Sequence, residues 1–97
     1  MNLFEITLQT TAEECGELSQ ILLKTTRFGL EASHPFTGEH NKVAITREFA
    51  DVLAMMRLVQ NLGAADFPSE EMIEARIAKF EESLKRSEAT GAYKPHE

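Results

Sequence analysis

The sequence predicts an all-α fold. Three long segments carry apolar residues at alternating spacings of three and four, glycine and proline gather between those segments, and no strand-like alternation runs longer than four residues. Together these describe a helical hairpin plus a third helix within one domain spanning 1–97.

The first helix is predicted over 3–28, where Phe4, Leu8, Thr11, Cys15, Leu18 and Leu22 form the stripe and no proline interrupts it. Arg27 places a cation in its last turn, and Gly29 is free to take a left-handed cap. Residues 29–41, which include "LEASHPFTGEHN", have no period and read as a loop long enough to carry a function. The second helix, over 42–62 with Asn41 as its cap, has a broad apolar set that includes Ile45, Phe49, Val52, Leu53, Met56 and Val59. Gly63 stops it. A third helix over 69–88 opens at Ser69, carries Glu70 and Glu71 where the helix dipole favours anions, and shows a narrow stripe of Ile73, Ile77, Phe80 and Leu84. Gly91 and Pro95 mark an irregular tail over 89–97.

A chain of 97 residues with these helices buries a modest fraction of its surface, so a homo-oligomer is expected. A net charge of -6 argues against nucleic acid and acidic membranes as partners, since binding there comes largely from Lys and Arg. No apolar run approaches the roughly 20 residues of a membrane span. The N-terminus lacks the basic region and cleavage site of a secretory signal, and the single cysteine, Cys15, has no internal disulfide partner. A cytoplasmic location is the expectation.

The directions of the acids single out four of them. At about 100° per residue, Glu14 points about 80° from the mean of the first stripe, inside an arc that Leu3 and Ile21 widen on one side. Glu17 falls at the border of that arc, and Glu13 faces the opposite pole. On the second helix the apolar arc covers about 220°, with Glu48 roughly 60° from its centre and Asp51 farther round among Met55, Leu58 and Leu62. Most glutamates on helices are solvated surface, but these four interrupt apolar surface as two pairs spaced i, i+3. Four carboxylates brought together need cationic compensation, because unpaired buried charge is costly and like charges repel. Either a divalent metal or the basic residues Lys24, Arg27, Arg47 and Arg57 could supply it. Neither helix has a histidine, which disfavours di-iron and zinc sites; an all-oxygen set suits Mg²⁺, or Mn²⁺, and hence phosphate chemistry.

"EECGEL", followed about thirty residues later by "REFADVL", resembles the Glu-Glu-x-x-Glu then Glu-x-x-Asp signature of the all-α nucleoside triphosphate pyrophosphohydrolases, the MazG-like superfamily. The combined pattern is more specific than either half. The resemblance extends through "LLKTTRFGL", "HPFTGEHNK" and the third helix, about residues 8 to 86, and is closest to the short single-domain bacterial and phage members. It implies hairpins pairing into a four-helix-bundle-like homodimer or homotetramer, and Mg²⁺-dependent hydrolysis of a nucleoside triphosphate to the monophosphate and pyrophosphate. Non-standard and deoxy nucleotides are among the candidate substrates. On this resemblance Glu14, Glu17, Glu48 and Asp51 hold the metal, and Glu14 is the favoured catalytic base. Glu13 fills the first motif position but faces outward. Ala50 stands where relatives often carry glycine, which keeps the position small.

Lys24 and Arg27 precede the loop and Lys42 and Arg47 follow it, either as solvated charges at helix ends or, with Asn41, as substrate-binding residues. His34, Phe36 and His40 could cover a base, although loop histidines are usually just exposed. Cys15 reads as a small buried hydrophobe, Met55 and Met56 as core or dimer surface, and Arg76, Lys79, Lys85 and Arg86 as solvated. The competing reading is a non-catalytic helical dimerisation or regulatory module, with the acids paired to Arg47, Arg57 and Lys24. A third is a related reaction on another substrate, such as phosphoribosyl-ATP or dUTP.

Overall fold

A computed structural model describes residues 1–96. Among them the chain forms three helices, α1 (Leu3–Phe28), α2 (Asn41–Asn61) and α3 (Glu70–Ala89), and no strand. The expected boundaries differ from these by one residue at most. The chain falls into two compact units, Met1–Asp66 and Phe67–Glu97. Among the described residues no helix is long and apolar enough to cross a membrane.

In the first unit α1 and α2 pack on each other as a helical hairpin. Asn2 caps α1 by accepting from the Glu5 N–H at 2.8 Å. The seam facing α2 shares only Thr11 and Leu18 with the expected apolar stripe. Thr7 and Thr11 are buried, and Glu14, Leu18, Ile21 and Thr25 are half-buried, whereas Phe4, Leu8, Cys15 and Leu22 of the stripe are exposed. The packed face is therefore rotated by about 60° toward Glu14. Threonine hydroxyls make this possible: Thr7, Thr11 and Thr25 each donate to the carbonyl four residues back, at 2.7 Å in every case. With the hydroxyl satisfied inside its own helix, each threonine presents a small surface that lets the helices approach.

On α2 the matching face consists of Asn41, Ala44, Glu48 and Val59, all buried, with Asp51, Val52 and Met55 half-buried between them. Phe49, Leu53 and Met56 lie about 115° round the helix and are exposed. Asn41 is not the cap. His40 occupies that position without a side-chain bond to the helix, and Asn41 is the first residue of α2, 2% exposed. Its Nδ2 donates to the Gly29 carbonyl at 2.8 Å, closing the loop between its own ends. The backbone adds Asn41 N–H to Ala32 O and Lys42 N–H to Leu30 O, and a single bridge pairs Ser33 with His40. Gly29 takes φ 87° with ψ 166°, an extended turn-out open to glycine rather than the expected left-handed cap.

In the second unit Ser69 caps α3, accepting from the Met72 N–H at 3.2 Å, as its place before Glu70 and Glu71 predicts. After Thr90, Gly91 turns with φ 83° and the Tyr93 N–H donates to the Ser87 carbonyl, so the tail folds onto the end of its helix. The last residue of the expected tail, Glu97, lies outside the described residues.

Candidate functional site

Carboxylates from both helices of the hairpin meet on the polar seam. Glu14 and Glu17 lie one turn apart on α1, and Glu48 follows Ala44 by one turn on the packed face of α2. One oxygen from each of these three side chains lies within 4.8 Å of the other two. In an octahedral Mg²⁺ site with bonds of about 2.0–2.1 Å, ligand oxygens are at most about 4.2 Å apart, so small side-chain adjustments suffice to close the group around an ion. Asp51 is half-buried one turn beyond Glu48; it is not one of the three, though its charge reaches Glu14.

The electrostatics of the group are unbalanced. Among the described residues Glu14 Oε2 and Glu48 Oε2 are buried and have no hydrogen-bond partner. Glu48 is 7% exposed, so this is a desolvated acceptor that nothing among the described residues satisfies. Burial pushes the Glu14 carboxyl above its ordinary value, and the charges of Glu17, Asp51 and Glu48 push it further in the same direction. An all-carboxylate donor set with bare buried oxygens fits a hard divalent cation.

A cleft of about 510 Å³ opens beside the acids. Glu17, Gln20, Ile21 and Lys24 line it from α1, His34 and Glu39 from the loop, and Ala44, Arg47 and Glu48 from α2. Of the five candidate substrate-binding residues, Lys24 and Arg47 are brought to this cleft. Arg27 lines a smaller groove with Gln20, Leu23, Lys24 and Phe28, Lys42 is exposed elsewhere, and Asn41 is committed to Gly29. Arg47 is itself occupied. Its Nη1 donates to Glu48 Oε1 at 2.8 Å, its Nη2 to Glu39 Oε1 at 3.0 Å and its Nε to Glu39 Oε2 at 3.4 Å. Those bonds hold the Glu39 carboxyl below its ordinary range and raise the guanidinium further above neutrality.

One charged cleft residue, Glu39, carries no signal in the sequence. Glu39 sits in an aperiodic loop eight positions before its partner Arg47, and no spacing rule connects a loop residue to a helix face. Of the three loop aromatics, the His34 and Phe36 rings lie 5.8 Å apart in a tilted contact, and His40 is engaged elsewhere. His34 lines the cleft; its Nδ1 accepts from the Phe36 and Thr37 N–H groups at 3.1 and 3.3 Å, which leaves Nε2 as the ring's donor. Phe36 is 92% exposed, and His40 turns its Nδ1 to the Glu31 carbonyl at 2.7 Å. No protein family, curated protein or solved structure matches the chain.

Proposed function

We propose that the protein hydrolyses a nucleoside triphosphate to the monophosphate and pyrophosphate, using Mg²⁺ held by Glu14, Glu17 and Glu48 with Asp51 as an adjoining carboxylate. Mn²⁺ would serve in the same place. The observation that carries this reading is the pair of bare, buried oxygens, Glu14 Oε2 and Glu48 Oε2, within a three-carboxylate group. Crowding and desolvating like charges is costly, and a bound cation would offset that cost. Mg²⁺ held by these carboxylates would neutralise phosphate charge and make a water more acidic.

The chain's own residues supply the rest. Lys24 stands on the α1 wall of the cleft, where it draws an anionic ligand toward the acids. His34 offers its Nε2–H to a ligand oxygen from the loop side. Glu14, half-buried within the carboxylate group, is the residue to which we assign the base role. The motif pair "EECGEL" and "REFADVL" supports this reading through its resemblance to the MazG-like superfamily.

The competing reading, a dimerisation module with its acids paired to Arg47, Arg57 and Lys24, is favoured by one contact. Arg47 pairs with Glu48. Among the described residues Glu14, Glu17 and Asp51 have no such ion pair, which favours the metal. A second copy of the chain belongs to the proposal as well: Phe49, Leu53 and Met56 on α2, and Phe4, Leu8 and Leu22 on α1, are exposed apolar surface of the kind that hairpin pairing would cover.

The test is pyrophosphate release from a panel of nucleotides with and without Mg²⁺. Mg²⁺-dependent release that disappears in Glu48→Gln supports the proposal. Absence of release from every nucleotide, together with metal binding unchanged in Glu48→Gln, overturns it.

A further inference from the structure

We propose that Glu39 is a positioning residue for the carboxylate group, acting through Arg47 on Glu48; this rests on the metal reading above. Glu48 has two oxygens with separate fates. Oε1 accepts from Arg47 Nη1 at 2.8 Å, while Oε2 is buried and bare. Arg47 thus fixes the rotation of the carboxylate and leaves one oxygen for a cation. Yet the Arg47 side chain is 53% exposed, and a long guanidinium stem in water has little reason to hold one pose. Glu39 supplies the reason by engaging Nη2 and Nε together, so the planar fork is held on one side and aims Nη1 from the other.

Glu39 is in turn fixed by the loop. Its carbonyl accepts from the His34 N–H at 2.9 Å, and its own N–H donates to Thr37 Oγ1 at 3.2 Å. The order of support runs from the closed loop to Glu39, to Arg47 and to Glu48. Charge points the same way. Arg47 alone would neutralise Glu48 and oppose a cation, whereas one guanidinium shared between two carboxylates leaves the trio with a net negative charge. Partners of ligating groups orient them and tune the site in this manner.

The experiment uses the full chain and Mn²⁺ alone as probe, with affinity read by calorimetry and folding by circular dichroism. Glu39→Gln and Arg47→Lys, the second of which keeps the charge but loses the fork, should each weaken Mn²⁺ binding about tenfold. The double variant should be no weaker than the weaker single one. Glu39→Asp, which keeps the charge but shortens the reach, should also weaken binding, and a purely long-range charge effect would leave it unchanged. Wild-type affinity in Glu39→Gln, or losses that add fully in the double variant, overturns the role of Glu39 while the metal site stands. A wild-type chain that binds no Mn²⁺, or a Glu48→Gln variant that binds it equally well, overturns both.

Discussion

The seam between α1 and α2 and the outer faces of the same two helices invert the usual distribution of polarity. The seam buries Thr7, Thr11, Asn41 and Glu48, with Ala44 and Val59 as its buried hydrophobic residues. The outer faces expose Phe4, Leu8, Leu22, Phe49, Leu53 and Met56. The contrast teaches that the strongest apolar stripe of a helix need not mark the contact nearest in sequence. A seam lined by small, internally satisfied threonines admits carboxylates between the helices, and the larger apolar groups remain for other surfaces.

That contrast can be broken first at its acidic centre. Glu48→Gln removes a buried carboxylate from the group, and on the proposed function Mg²⁺-dependent pyrophosphate release should fall by about 100-fold or more, since even residues that merely support a metal ligand are worth about 10–100-fold. Breaking the outer face should leave the hairpin folded and weaken the proposed pairing of copies. Phe49→Asp should weaken self-association by about 30-fold, as expected for an interface anchor worth about 2 kcal/mol, measured by sedimentation with helicity unchanged. At the loop end of the seam, Asn41→Ala leaves the Gly29 carbonyl without its side-chain donor and should lower unfolding stability by about 1–3 kcal/mol in denaturant titration.

The mildest test sharpens the comparison through pH. Because the Glu14 carboxyl binds its proton more tightly in the folded chain than its ordinary value of 4.5, the folded state takes up more protons than the unfolded one above that value. Its contribution to stability is full below about 4.5 and is lost as the pH rises through the higher folded value. Metal-free protein should therefore melt at a lower temperature near neutrality than in mild acid. Glu14→Gln should flatten that dependence and raise the neutral melting temperature by a few degrees while abolishing metal affinity. An unchanged pH profile in Glu14→Gln would show that crowding of the acids does not burden the apo fold.

Much of the site was legible because helices are periodic. Glu14 and Glu17, and Glu48 and Asp51, are each one turn apart, so each pair shares a face whatever the helix packs against. Glu14 was read at the edge of the apolar arc, and the structure brings that edge into the seam. Cys15 shows where such reading fails. It lies within the apolar stripe yet is exposed, because the packed face was chosen by close approach through Thr7 and Thr11 rather than by the largest apolar groups. Asn41 was read as a cap from residue type, and its burial came from a carbonyl twelve positions earlier in the chain.

By itself the sequence determined the three helices, their ends to within a residue, the Ser69 cap and the pairing of acids along each helix. These depend on neighbours within four positions, and local spacing encodes them. Tertiary structure alone decided which face of α1 meets α2, that Glu14, Glu17 and Glu48 converge while Asp51 stands one turn off, and that Glu39 holds Arg47. Those outcomes depend on contacts between residues far apart in the chain, where loop geometry and the closeness of helix approach, rather than residue period, set what meets.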